Sequence, residues 1–480
     1  MTSVGAGHGV ITEVALDTIA LDRFEPLIGH DREDSLCAAA DRARAVMTGR
    51  TFWHVNSTAK GGGVAELLTA LLPYLRGAGI DTRWLVIDGD ADFFTVSKRI
   101  HNQLHESDGE PLGDESRRTY EHTLARNADG LRALVQPGDV VLFHDPQTAG
   151  LIDAAKACGA RIAWRCHIGV DEPDGRARAA WAFLGSYIAA ADRLVFSCRQ
   201  HVWDGLDAER VTIMPPSIDA FTPKNEELDE STAAAILAAA GIVDAPPELN
   251  AKPEFMNRHG VTRMVTRRAT VTSGSIPYGA PIVVQVSRWD DLKDPIGVLR
   301  GFVDHVAPHH DAHLVLAGPA ADSIEDDPEQ VRTLADVHAA WEQVEPFVRR
   351  RVHLVSLPMD DEDENAAMVN ALQRRADVVV QKSLAEGFGL TVAEAMWKRR
   401  AVVASDRGGI VEQITDNENG VLVHDPSDLA EFGRAVSRLL EDQQLASRLG
   451  EAAHERVRDY FLAPRELVQY FELTEQLVEG

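Results

Sequence analysis

The sequence predicts an α/β protein made of two doubly wound, parallel-sheet domains. Two observations carry that prediction. Short runs of β-branched and aromatic residues alternate with stretches of helical periodicity along most of the 480 residues. The alternation stops near Pro215-Pro216 and resumes at residue 281, so it falls into two separate sets. A chain of this length is ample for two hydrophobic cores. Its composition, 45% hydrophobic and 26% charged, is that of an ordinary globular protein.

In the first set, TFWHVN (51–56), TRWLVI (82–87), DVVLFH (139–144), ARIAWRCH (160–167) and DRLVFS (192–197) read as strands, separated by helical patterns such as 177–190. The stretch 222–280 is rich in Pro, Ala, Glu and Gly and shows no strand pattern. In the second set, PIVVQVSR (281–288), AHLVLAG (312–318), RVHLVS (351–356), DVVVQK (377–382) and RAVVASD (400–406) read as strands. From residue 464 onward, Leu467, Tyr470, Phe471, Thr474, Leu477 and Val478 are spaced along one helix face. The expected division is therefore an N-terminal Rossmann-like domain over 1–225, including an N-terminal extension, and a linker or insertion over 226–280. A C-terminal Rossmann-like domain over 281–460 follows, then a terminal helix over 461–480 that packs back across a cleft between the domains. Sheets of this kind bind ligands at the carboxyl ends of their strands.

Charge narrows the partners. A net charge of −27 repels phosphate backbones, so nucleic acid is not expected. An anionic substrate would need a local cationic pocket. No run approaches the roughly 18 apolar residues that span a bilayer, and the first residues lack a signal peptide's basic head and apolar core. A cytoplasmic protein without membrane contact is expected. Cys37, Cys158, Cys166 and Cys198 have no metal-ligand spacing and read as reduced, mostly buried thiols. The acidic run DDEDE (360–364) reads as a solvated helix start.

Three windows carry chemistry. In QKSLAEGFGLTVAEAMWK (381–398) a strand ends, a loop carries Glu386, and Gly387-Phe388-Gly389 opens a helix containing Thr391 and Glu394. Bare N–H groups at a helix start suit a phosphate, and the two carboxylates suit sugar and ribose hydroxyls. The plain alternative is a capped helix with two solvated glutamates. In SRWDDLK (287–293), Arg288 at a strand end and Lys293 in the next loop would neutralise a diphosphate leaving group. Alternatively, both pair with Asp290 and Asp291. In HVNSTAKGGGVAELL (54–68), Gly61, Gly62 and Gly63 would bring amides to the same phosphates, or simply form a tight turn. His144-Asp145-Pro146-Gln147 and Arg165-Cys166-His167 also fall at strand ends. Asp145 and Gln147 suit acceptor hydroxyls, and His167 suits the transferred sugar.

Two patterns mislead. Gly5-Ala6-Gly7-His8-Gly9 resembles a dinucleotide fingerprint but follows no strand, and Asp88-Gly89-Asp90-Ala91-Asp92 resembles a metal-binding DxD. No protein-bound metal is expected.

EGFGLTVAE (386–394) resembles the EX7E motif of the retaining GT-B glycosyltransferases of group 1, family 4. Arg288 and Lys293 match that family's diphosphate-binding pair, and Asp406-Arg407-Gly408-Gly409-Ile410 resembles its later glycine turn. HVNSTAKGGGVAELL, DFFTVSKRIHN, HDPQTAG, WRCHI, MPPSIDAFTPKN and EGFGLTVAEAMWK are together similar to trehalose glycosyltransferring synthases, and trehalose phosphorylases share much of this pattern.

The resemblance implies a GT-B fold in which the C-terminal half holds a nucleotide-sugar donor and the N-terminal half an acceptor. Glu386, His167, Arg288 and Lys293 are the implied catalytic group. The implied donor-binding residues are Gly62, Gly63, Arg288, Lys293, Gly387, Phe388, Gly389, Leu390, Thr391 and Glu394. Asn56, Asp145 and Gln147 are the implied acceptor-binding residues. The donor is UDP-, ADP- or GDP-glucose, Mg²⁺ enters only as an assisting counterion, and the product is trehalose or a similar α-glucoside. A homodimer is the one protein assembly considered.

One departure stands out. About 245–280 reads as an insertion carrying Arg258, His259, Arg263, Arg267 and Arg268, either a surface loop or a device that alters access or binds an anionic acceptor. The alternatives are a trehalose phosphorylase using glucose 1-phosphate and a non-catalytic nucleotide-sugar sensor.

Overall fold

The computed structural model of the chain describes residues 2–3, 11–60, 62–105, 111–323 and 328–480. It forms two compact units, Met1–Ser217 with Phe461–Gly480, and Ile218–Tyr460.

The first unit is built on an eight-stranded sheet. In chain order its strands are β1 (Thr2–Ser3), β2 (Thr12–Val14), β3 (Phe52–Asn56), β4 (Thr82–Val86), β5 (Val140–His144), β6 (Arg161–Cys166), β7 (Arg193–Phe196) and β8 (Val211–Ile213). They lie in the order β1-β2-β4-β3-β5-β6-β7-β8, parallel from β4 to β8. β3 and β5 are buried along their whole length, as expected of parallel strands covered on both faces. The strand order reverses between β3 and β5, so the loops that follow these two strands sit at the topological switch point.

The terminal helix Ala463–Glu479 belongs to this first unit, where it packs on helix His30–Val46 and on β5 and β6. Leu467, Tyr470, Phe471, Thr474 and Leu477 are buried as the periodicity predicts, while Val478 is half-exposed. What holds it is an ion pair, Arg165 Nη1 to Glu466 Oε1 at 2.8 Å, with both side chains 0% exposed. Burial disfavours the guanidinium charge, and Tyr470 and Glu466 beside it more than offset that, so its pKa is raised. Arg165 Nη2 also donates to Met214 O at 3.0 Å, and Ser217 Oγ donates to Glu466 Oε2 at 2.6 Å.

The second unit holds a hairpin, β9 (Glu254–Met256) and β10 (Thr262–Met264), and a seven-stranded sheet. The sheet strands are β11 (Thr270–Val271), β12 (Ile282–Val286), β13 (His313–Pro319), β14 (Val352–Leu357), β15 (Val378–Gln381), β16 (Ala401–Ser405) and β17 (Val421–Val423). Their order is β11-β14-β13-β12-β15-β16-β17, with only β11 antiparallel. Here the order reverses between β12 and β15.

The segment expected to be a linker or an insertion has secondary structure of its own, which corrects the linker reading. Residues 226–280 contain helix Glu230–Ala239, the hairpin and β11, and they pack within the second unit. The boundary falls at Ser217, not 225. The strand pattern was invisible because β9, β10 and β11 have only two or three residues each. The basic cluster is not a loose loop either. Arg263 Nη1 donates to Asp361 Oδ1 at 3.2 Å and to Asp363 Oδ2 at 3.3 Å, and Arg267 Nη1 to Glu364 Oε1 at 2.6 Å. Glu364, expected to be solvated, is 2% exposed and also accepts from the Thr266 and Arg267 amides. Asp361 does cap a helix, accepting from the Glu364 N–H at 3.1 Å.

Candidate active site

In the second unit, the loops after β12 and β15 flank the switch point, and two windows separated by about a hundred residues meet there. Lys293, at the end of the single turn Asp291–Lys293, donates to both carboxylate oxygens of Glu386 at 2.7 Å. Glu386 is 8% exposed, and its Oε2 also accepts from Ser383 Oγ at 3.0 Å. Gln285, the polar residue within buried β12, fixes the other loop by donating to Lys293 O at 2.7 Å. Arg288 is exposed and reaches Asp290 Oδ2 at 3.3 Å. The alternative of two Asp-paired cations thus holds for Arg288 and fails for Lys293. Asp290 caps the turn through the Leu292 N–H, and Asp291 is taken by Arg332 and Thr333.

The Gly387–Gly389 loop opens helix Leu390–Trp397 through Gly389, whose φ of +83° suits glycine. The turn 406–410 braces this loop from behind. A Cβ on Gly408 would lie 1.6 Å from the carbonyl oxygen of Glu386, so only glycine permits the approach. Gly409 N donates to Gly387 O at 3.0 Å, and Gln413 Nε2 to Phe388 O at 2.5 Å. Phe388 is buried, whereas Gly387, Leu390 and Thr391 are partly exposed. Thr391 Oγ1 donates to Gln381 Oε1 at 3.3 Å.

Glu394 is 2% exposed, so it is not a solvated helix residue. Its Oε1 lies 3.7 Å from Lys224 Nζ, and its Oε2 makes no hydrogen bond among the described residues. The buried Lys398 Nζ donates to Asn225 Oδ1 and to Glu394 O, both at 3.1 Å. Burial lowers the Lys398 pKa to about 7 against the opposing pull of Glu394.

In the first unit, the end of β3 and the loops after β3, β5 and β6 carry the remaining expected residues. Gly62 (φ +83°) precedes helix Gly63–Gly77, and both glycines are exposed. Gly61 lies outside the described residues. Asp145 adopts φ +61° and opens the one-turn helix Asp145–Thr148, which also carries the partly exposed Gln147. Asp145 Oδ1 accepts from the His167 N–H at 2.8 Å. Burial pushes the Asp145 carboxyl up to about 7, against the His167 N–H and the Arg165 charge. His167 Nε2 lies 3.0 Å from His144 Nδ1. Asn56, the third residue expected to bind the acceptor, is the last residue of β3. It is 2% exposed, accepts from Trp84 Nε1 at 2.8 Å and donates to Thr58 O at 2.7 Å, so its amide fastens the strand end.

The similarity of the chain to known proteins follows this division. Residues 54–203 match the model of the trehalose synthase N-terminal domain, and residues 360–456 that of glycosyl transferases group 1. The trehalose synthase of Thermococcus litoralis is 34% identical over 94% of this chain and 96% of its own. The chain belongs to the trehalose synthase family.

A trehalose phosphorylase of Grifola frondosa is 24% identical over 92% of this chain but only 58% of its own. Among solved structures, a trehalose 6-phosphate synthase from Burkholderia multivorans has a TM-score of 0.64 at 14% identity, covering 90% of this chain and 97% of its own. At that identity the likeness is one of fold, the GT-B pairing of two Rossmann-like domains. This member of the trehalose synthase family is accordingly a trehalose-related hexosyltransferase.

The misleading patterns resolve as well. Asp90 of the DxD-like stretch caps helix Ala91–Leu104 by accepting from the Phe93 N–H at 2.9 Å. The sequence 5–9 lies outside the described residues. None of the four cysteines is in a disulfide; Cys166 and Cys198 are buried, and Cys37 and Cys158 partly so. Among the described residues no helix is long and apolar enough to cross a membrane. Lys224 and Asn225 near Glu394 escaped the sequence reading, because no spacing relates them to a carboxylate some 170 residues away. Lys398, one helical turn after Glu394, escaped it because its burial is set by the fold. His54 left one signal, a histidine inside a largely apolar strand, and His144 showed itself only as a strand-end residue.

Proposed function

We propose that this chain is a retaining glucosyltransferase that moves glucose from a nucleotide-glucose to glucose, or a closely related sugar, to give trehalose or a similar α-glucoside. The observation that carries the reading is the switch-point cluster of Lys293, Glu386 and Arg288 ahead of the Gly387–Gly389 helix start. Two cations beside bare helix N–H groups meet the charge that develops on a departing diphosphate. Glu386, held by Lys293, accepts hydrogen bonds from donor-sugar hydroxyls. Glu394, with one oxygen unbonded, takes the ribose. Gly62 and Gly63 offer amides to the phosphates, Asp145 and Gln147 read the acceptor, and His167 contacts the transferred sugar.

In the reaction, an acceptor hydroxyl oxygen forms the new bond to the sugar's C1 on the face from which the diphosphate leaves. The bond from C1 to the phosphate oxygen breaks, and the acceptor's proton passes to the leaving phosphate. No protein nucleophile is required. Mg²⁺ assists as a diphosphate counterion.

Greater identity and nearly full mutual coverage favour the synthase reading over the phosphorylase one. The test is a product assay with purified protein and glucose, offering UDP-, ADP- and GDP-glucose in parallel with glucose 1-phosphate. Trehalose formed only with a nucleotide donor supports the reading and names the base, and an α,α linkage by proton NMR supports retention. Trehalose formed from glucose 1-phosphate with release of phosphate would make the protein a phosphorylase. Tight donor binding without turnover would point to a sensor.

A further inference from the structure

Three histidines of the first unit form one hydrogen-bonded line. His54 of β3 registers with Leu142, and His144 of β5 registers with Arg165 of β6, so His54, His144 and Arg165 share one face of the sheet. His54 Nδ1 lies 3.1 Å from His144 Nε2, and His144 Nδ1 lies 3.0 Å from His167 Nε2. The two ends of the line differ. Among the described residues, His54 Nε2 is buried with no hydrogen-bond partner. His167 is half-buried, and its only hydrogen bonds among the described residues are those of its backbone N–H and of Nε2, so Nδ1 is open.

Burial keeps the rings neutral. It lowers the His54 pKa to about 3 and puts those of His144 and His167 well below the usual value, with the Arg165 charge adding to all three. A neutral imidazole carries a single N–H. His144 can therefore donate at only one of its two contacts and must accept at the other. Only two arrangements satisfy both bonds. Either every ring carries its proton on Nε2, leaving a buried N–H at His54 without an acceptor, or every ring carries it on Nδ1, leaving a buried lone pair there. Arg165 separates them. Its charge acts on all three rings, and its own Nε is already a buried donor without a partner among the described residues. A lone pair near that charge is favourable, whereas a further orphan N–H adds an unpaid desolvation penalty.

We infer that the line is fixed with every proton on Nδ1, so that His167 presents an N–H donor, not a lone pair, to a sugar oxygen, and His54 and His144 are positioning residues that set this polarity. A hydroxyl that accepts from His167 keeps its own proton for another partner, which orients the sugar. The effect on turnover rests on the sugar contact proposed for His167. The proton arrangement does not.

The test uses the full-length protein labelled with ¹⁵N-histidine and a long-range ¹H–¹⁵N correlation, with His167 assigned by its absence in His167→Gln. The expected result is a protonated Nδ1 and an unprotonated Nε2 on His167. A proton on His167 Nε2 in the wild type would overturn the inference, and this measurement needs no stable variant. His144→Phe should release His167 into a tautomer mixture, and His144→Asn, whose amide can still donate, should restore Nδ1–H. An unmoved His167 in His144→Phe would remove the positioning role. In turnover, His144→Phe should cost about tenfold, the order of one neutral hydrogen bond, and nothing further in a His167→Ala background. If the wild type makes no trehalose from any nucleotide-glucose, the functional reading fails while the nitrogen spectrum still decides the proton arrangement.

Discussion

Replacing Glu466 by Gln should loosen the attachment of the terminal helix far more than one lost hydrogen bond would. The substitution keeps the side chain's volume and removes the only carboxylate that pairs with Arg165 among the described residues. Both partners are 0% exposed, and arginine cannot discharge itself by losing its proton. Removing one partner of a buried pair costs about 3–5 kcal/mol, because the other charge is left uncompensated. Arg165 retains Tyr470 Oη at 2.6 Å and Met214 O at 3.0 Å, which places the expected cost near the lower end of that range. About 3 kcal/mol corresponds to a roughly 10²-fold change in an equilibrium constant. Amide hydrogen exchange over 463–479 and β6 should accelerate by that factor if this helix opens together with the sheet face it covers. The double substitution Arg165→Met with Glu466→Leu should recover most of the loss, since it leaves no orphan charge. An acceleration below about tenfold in Glu466→Gln, or a double variant as labile as the single, would refute the reasoning.

Glu386→Gln and Lys293→Ala each remove a charge-assisted hydrogen bond worth about 1.5–3 kcal/mol. Steady-state kinetics should therefore show kcat/KM for the nucleotide-glucose falling roughly 10- to 10²-fold or more in each, and unchanged kinetics in either would reject its role. Asp145→Asn tests the raised carboxyl. The folded-state pKa of about 7 lies above that of an unfolded Asp, so the folded state holds the extra proton, and wild-type stability falls as pH rises from about 4 to about 7. Asn keeps the acceptor for the His167 N–H and tolerates the left-handed backbone, so the variant should be more stable than wild type near pH 8 and gain nothing near pH 4. Urea unfolding at the two pH values checks this, and an equal gain at both would contradict it.

Ten strands were legible because buried parallel strands are continuous apolar runs bounded by helical stretches, a signal confined to a few adjacent residues. The missed strands are short or lie at sheet edges, where few residues carry the pattern. β11 is held by register with β14, not by its own sequence. The candidate site residues Glu386, Lys293 and Arg288 stand in local motifs, yet the sequence offered Lys293 only a diphosphate or the neighbouring aspartates as partners. Its bond to Glu386 exists because the sheet order places β12 beside β15.

By itself, then, the sequence determined the two-domain α/β class, the amphipathic terminal helix, the glycine turns and the types of residue available for chemistry. These rest on periodicity, backbone conformation and side-chain identity, all of which act over a few residues. Tertiary structure alone decided the pairs Arg165–Glu466, Lys293–Glu386 and Arg267–Glu364, and the hydrogen-bonded line of His54, His144 and His167. Charge pairing and proton placement depend on separations of about 3 Å and on burial. Residues 301 positions apart, as Arg165 and Glu466 are, acquire such a separation only when the chain has folded.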